Sequence, residues 1–190
     1  NYILVGMIIE RVTGRTYYEV LTEQVLVPLA LRETTPADRP DLPGLVCGHT
    51  TPDNPFRVPN RTLVDGRYPM NPQVEWTGGG LITTAADLAR WARALYAGEV
   101  LAPALRETML QTGPSDLGEG VRYGLGVITW EGRHGQAWGH TGWVPGYHSG
   151  MAYFPALRLA VACQVNSDVK RSGAIMRGFL DDVAAELTSK

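Results

Sequence analysis

The chain has only two cysteines, Cys47 and Cys163, among 190 residues. They are far apart and stand in no ligand-like spacing, which excludes a dense disulfide framework or a zinc ribbon. One Cys47–Cys163 disulfide and two buried thiols both fit the sequence; the separation favours thiols, and the redox compartment stays open. No apolar run approaches the roughly 20 residues that a bilayer-spanning helix needs. Neither sign of charge is in excess: 17 Lys and Arg against 19 Asp and Glu leave a formal −2. That balance gives no electrostatic basis for nucleic acid or an anionic membrane as partner. There is no His-Glu-x-x-His, phosphate loop, dinucleotide fingerprint or Gly-x-Ser-x-Gly elbow, and no repeat or low-complexity tract. An initiator Met is also lacking. A helix that begins almost at Asn1 is expected if residues upstream have been removed.

What remains is ordinary globular material, 44% hydrophobic and 19% charged, enough to bury the core of one domain or one lobe of a larger one. Ile3, Leu4, Met7, Ile8 and Val12 recur at helical spacing, so Tyr2 to Val12 reads as an amphipathic helix stopped by Gly14. Thr16 and Glu19 form a capping box for a second helix, with Val20, Leu21 and Val25 inward and Pro28 as its end. From Glu33 to about Asn71 prolines crowd a segment without periodicity. Its Leu45, Val46, Phe56 and Val58 favour a wall or lid over a site rather than a mobile linker. Thr84 and Asp87 open a third helix that runs through Leu95 to Gly98, and Pro103 suits the first turn of a fourth. Val121 to Trp130 reads as one strand, and Gly132 to Gly135 as its turn. A strand ending in His140-Thr141-Gly142 follows, then strands at Tyr147–Phe154 and Leu159–Val165. Ile175, Met176, Phe179, Leu180, Val183, Ala184 and Leu187 mark a closing helix packed across the sheet. The fold class is α+β: a helical and loop-rich region over 1–120, then an antiparallel sheet with its C-terminal helix over 121–190.

The chemistry gathers at Trp138 to His148. Gly142 lets an extended ligand lie against the strand edge, Thr141 beside it offers a hydroxyl, and His140 an imidazole. The plainer reading is a hairpin with one buried and one exposed histidine. Ser167-x-x-Lys170 has the spacing of a nucleophile and its base, but it falls at a strand exit, where Asn166, Ser167 and Asp168 read as turn chemistry. His49, His134, His140 and His148 form no ligand pair, and a zinc site on His140 and His148 has no support in spacing. Asp181 and Asp182 read as the polar face of the closing helix. Trp76, Trp138 and Trp143 either stack on a ligand or belong to the core.

Several stretches, in order, carry a resemblance: Asn1 to Glu10 with Thr13-Gly14, Pro28-Leu29, Gly78 to Thr84 with Asp87-Leu88, Tyr123-Gly124-Leu125-Gly126, and Gly139 to Gly142 with Gly146-Tyr147. Together they resemble the C-terminal two thirds of the penicillin-recognising serine hydrolases, the class C β-lactamases, D-alanyl-D-alanine carboxypeptidases and related esterases and D-aminopeptidases. His-Thr-Gly in place of Lys-Thr-Gly leans toward the carboxypeptidase branch. The family's Ser-x-x-Lys and Tyr-x-Asn motifs lie upstream and are not in this chain. The resemblance implies acyl transfer through a covalent intermediate, without metal or cofactor. It implies that His140 assists proton movement, that Thr141 holds a substrate carboxylate, and that backbone near Gly142 and Trp143 binds the acyl group and half of an oxyanion hole. Trp143 is bulkier than the hydroxyl residue some relatives place there, and Trp76 resembles a site-wall aromatic. The expected partners are a peptide or small-molecule substrate, the missing N-terminal segment, or a second copy through an exposed sheet edge. A secreted or cell-envelope location is the family's habit. A non-catalytic peptide- or cell-wall-binding module of the same fold is the alternative.

Overall fold

Strict alternation of side chains in the last third of the chain builds the element on which everything else rests. The computed structural model describes residues 1–168 and 173–189. In chain order, helices α1 (Tyr2–Thr13) and α2 (Tyr17–Leu21) precede β1 (Thr35–Pro36), β2 (Leu81–Ile82), α3 (Ala85–Ala97) and α4 (Pro103–Leu110). Then come β3 (Gly113–Pro114), β4 (Arg122–Tyr123), β5 (Ile128–Gly132), β6 (Gly135–Val144), β7 (Tyr147–Phe154), β8 (Leu159–Val165) and α5 (Gly173–Thr188). Strands β3 to β8 form one antiparallel meander in sequence order, and β1 and β2 pair separately.

The sheet is covered on both faces. On one, Ala152 and Phe154 of β7 pack with Ile128, Trp130, Val161 and, from α5, Leu180 and Ala184. On the other, Met151 and Tyr153 meet Ala92 and Tyr96 of α3 and Met109 of α4. Successive β7 residues thus serve opposite layers, as a period of two requires. A third cluster, Ala37, Leu42 and Tyr68 with Leu45, Leu63, Met70 and Tyr147, anchors the proline-rich segment against the β6–β7 turn. The segment is a packed wall, not a linker.

Three expectations need correction. Val121 to Trp130 is not one strand: a tight turn separates β4 from β5, closed by Gly124 N–H donating to the Val127 carbonyl, with Gly126 at φ 72°. The Thr84–Asp87 box is half formed. Thr84 accepts from the Asp87 N–H, but the Asp87 carboxylate turns inward to the Glu33 N–H, the Thr34 hydroxyl and Arg90. Helix α1 runs Tyr2–Thr13 and stops at Gly14 as expected, with its stripe uncovered: only Gly6 of the helix is buried, whereas Leu4, Met7, Ile8 and Val12 are 56–78% exposed. Asp181 is not a plain surface carboxylate. It accepts from the Trp130 indole N–H at 3.3 Å, and burial raises its pKa. The second helix begins on the Thr16–Glu19 box as expected, but passes into a π-turn at Thr22–Leu26. Cys47 and Cys163 are separate free thiols, both partly buried. Among the described residues no helix is long and apolar enough to cross a membrane.

Candidate active site

The hydrogen-bond ladder marks the site. Strand β5 pairs with β6 only as far as Gly139, while β7 pairs along β6 as far as Val144. Residues 140–144 therefore run on with β7 on one side and no strand of the described sheet on the other. A strand edge of this kind offers backbone donors and acceptors to an extended ligand. The midpoint of the open stretch is Gly142, and a methyl group there would meet only the Ser149 hydroxyl, at 2.6 Å. The absence of a side chain at Gly142 thus leaves room for the Ser149 hydroxyl opposite it on β7.

Thr141 and His140 leave β6 on opposite faces. Thr141 pairs with Gly150 and lies toward the start of α5. A methyl group on Gly173 would fall 3.2 Å from the Thr141 hydroxyl and 3.3 Å from a guanidinium nitrogen of Arg177, so hydroxyl and cation converge on one point. Arg177 is 6% exposed and donates to the Leu117 carbonyl at 3.0 Å. Burial lowers its pKa and Asp181 partly offsets that, but a guanidinium remains charged. The sequence reading missed Arg177 because it looked at the helix for its apolar stripe. The signal was there: positions 177, 180 and 184 share a face, and Leu180 and Ala184 are fully buried.

His140 is engaged at both nitrogens. Nδ1 lies 2.7 Å from the Thr141 carbonyl oxygen and Nε2 lies 3.1 Å from the Tyr123 hydroxyl. Burial pushes its pKa below the ordinary 6.5, and the backbone carbonyl acts the other way. Both nitrogens being occupied, a zinc site on His140 and His148 has no geometric support. Tyr123 in turn lies 3.5 Å from the hydroxyl of Tyr2, and burial holds its phenol up to about 12.

Trp143 extends the open edge and meets Phe56 of the proline-rich wall, ring centres 5.8 Å apart. The Phe56 loop is held by Asn54, which is 5% exposed and exchanges hydrogen bonds with Val58 backbone at 2.9 Å. Trp76 packs edge-on to Tyr17, at an unusual φ of 35°. Its neighbour Thr77 donates to the Tyr2 carbonyl at 2.7 Å, and Tyr2 leads on to Tyr123. Trp138 is core, against Tyr96 and Tyr153. Ser167 sits in a bridge to His49 beyond β8, and Lys170 lies outside the described residues.

Fold and strand edge together define a β-lactamase/transpeptidase-like architecture, and the comparisons agree: residues 1–185 match the family model Beta-lactamase, and the chain belongs to that family. It is 27% identical over 158 residues to penicillin-binding protein 4* of Bacillus subtilis (strain 168), covering 80% of this chain and 35% of that one. A D-stereospecific amidohydrolase from Streptomyces sp. superposes with a TM-score of 0.75 at 29% identity, over 88% of this chain and 48% of its own. A D-amino acid amidase from Ochrobactrum anthropi SV3, solved with L-phenylalanine amide, gives a TM-score of 0.80 at 21% identity, over 99% and 56%. The chain thus spans about a third to a little over half of these relatives' length.

Proposed function

We propose that this chain is the substrate-binding part of a serine-type acyl-transfer hydrolase acting on a D-amino-acid amide or peptide, with lactams and esters as chemically related substrates. The observation that carries the reading is the uncovered β6 edge at residues 140–144, flanked by a hydroxyl and a buried cation. An extended acyl group pairs with that edge, and a backbone N–H near Trp143 meets the oxygen that becomes negative in the tetrahedral intermediate. In a peptide substrate Thr141 and Arg177 suit the terminal carboxylate, the guanidinium supplying the positive field that a Lys-Thr-Gly strand would otherwise bring; an amino-acid amide lacks that group and is held by the strand edge. His140 serves proton movement. The nucleophilic Ser and its Lys belong to polypeptide outside these 190 residues, docked where α1 now exposes Leu4, Met7 and Ile8.

The resemblance to the D-stereospecific amidohydrolase, at 29% identity, favours D-configured substrates for the same strand. The test is covalent labelling with a fluorescent penicillin and hydrolysis of D-phenylalanine amide. The chain alone is expected to do neither, and to do both once the segment carrying Ser-x-x-Lys is supplied in line or in trans. Labelling of the isolated chain at Ser167, located by mass spectrometry, would overturn the assignment of roles. An intact complete protein that binds a D-peptide without ever being acylated would leave a binding module instead.

A further inference from the structure

The hydrogens on His140 can be counted, and the count assigns a role to a residue that the acyl-transfer reading does not by itself require. The Thr141 carbonyl can only accept, so Nδ1 at 2.7 Å from it carries the hydrogen. A neutral imidazole has one N–H, so Nε2 is a bare lone pair and the Tyr123 hydroxyl, 3.1 Å away, donates to it. The Tyr123 oxygen keeps its own lone pairs, and the Tyr2 hydroxyl at 3.5 Å is placed to donate to one of them. The polarity therefore runs one way, from Tyr2 through Tyr123 to His140.

The surroundings hold this arrangement. Burial favours neutral His140 and keeps the hydrogen on Tyr123, so both groups stay in the states that the count requires. Tyr123 opens a turn with no room in it: a methyl group on Gly124 would run into the Met109 carbonyl, and one on Gly126 would lie 3.3 Å from the Tyr2 hydroxyl. The two rings of Tyr123 and His140 meet edge to face, centres 5.8 Å apart at 79°.

We infer that Tyr123 is a positioning residue for His140, holding it as the Nδ1–H tautomer with its one lone pair committed to the phenol and not to a ligand on the open β6 edge. His140 is thereby held in one tautomer and one ring orientation beside the open edge, and Tyr123 affects the cleft only through that hold. This catalytic consequence rests on the acyl-transfer reading; the tautomer does not.

The test uses the 190-residue chain labelled with 15N, with two-bond proton–nitrogen spectra of the imidazoles recorded above the His140 titration. His140 is expected to show a protonated Nδ1 and an Nε2 resonance displaced from the free lone-pair position by an accepted hydrogen bond. Tyr123→Phe should move Nε2 toward the free position and leave Nδ1 in place, and Tyr2→Phe should move it less. Replacing all tyrosines by 3-fluorotyrosine, a more acidic phenol of nearly the same size, should displace Nε2 further the other way. That measurement decides the matter even if Tyr123→Phe does not fold. An Nε2–H tautomer in the unsubstituted chain, or an Nε2 resonance indifferent to the phenol, overturns the proposal. In the complete hydrolase Tyr123→Phe should lower kcat about tenfold at unchanged KM, the scale of one lost hydrogen bond in the transition state. An unchanged kcat removes the catalytic consequence. Absence of any acylation with the spectral signature intact refutes the hydrolase reading alone.

Discussion

Asp168 offers the sharpest stability test, because one buried side chain ties three segments together. It is 1% exposed, its Oδ1 accepts from the Thr51 N–H at 2.8 Å, and its Oδ2 accepts from the Gly146 N–H at 3.4 Å. Its own N–H donates to the His49 carbonyl at 3.0 Å, a bond that substitution leaves alone. Asp168→Ala removes both side-chain acceptors and leaves two amides without partners. A short bond to a carboxylate is worth about 1.5–3 kcal/mol, and the longer one about half of that. The relief of no longer burying a charge offsets part of the sum. The net expectation is about 3 kcal/mol. With a urea slope of about 2 kcal/mol/M for a domain of this size, the midpoint should fall by about 1.5 M. Asp168→Asn keeps one acceptor and should lose about half as much. Hydrogen exchange at the Gly146 amide should accelerate in step. Asp182→Ala is the control, since its pair with Arg133 is 2.6 Å long but about 60% exposed on both sides, and such pairs contribute little. An Asp168→Ala midpoint within about 0.3 M of the parent would refute the clamp.

Leu180, fully buried between α5 and the sheet, should cost about 3–4 kcal/mol on truncation to Ala, read by the same denaturation curves. His140 predicts a pH dependence. Burial lowers its folded pKa below 6.5, so the unfolded chain binds more protons between the folded value and 6.5. Stability should therefore fall as pH drops through that window, and His140→Gln should flatten the slope there. Asp181, raised by burial, acts with the opposite sign at lower pH, in the carboxylate range.

What the sequence shows and hides divides along physical lines. Local signals were legible: the Thr16–Glu19 box, the stop at Gly98, and the β7 and β8 bounds all follow from residues within a turn or two. A strand through His140-Thr141-Gly142, turned back at Pro145 and Gly146, was legible for the same reason. Long-range matters were not. Nothing near Asp87 says that its carboxylate serves Glu33 and Thr34, some fifty residues earlier. The α1 stripe reports that a face is apolar but not what covers it. The glycines after Trp76 leave close packing and a ligand-facing turn equally open in the sequence; at Gly80 the structure shows close packing, a methyl there meeting the Trp76 carbonyl at 2.7 Å.

The bracing of the proline-rich wall has a consequence for how the site varies. Gly48 N–H donates to both the Thr62 hydroxyl and the Tyr147 hydroxyl, at 2.8 and 3.0 Å, and Tyr68 donates to the Pro145 carbonyl at 3.1 Å. These ties bind the loop's two stems to the hairpin, while Phe56 at the tip is half exposed and joins the site through its ring alone. The ties lie in the stems, so the side chain at Phe56 can be exchanged for other sizes or polarities while the hairpin stays in register; Arg57, at φ 52° with its N–H bonded to the Asn54 carbonyl, is constrained by its backbone. A new side chain at Phe56 therefore alters what faces Trp143 while the β6–β7 pairing is left in place.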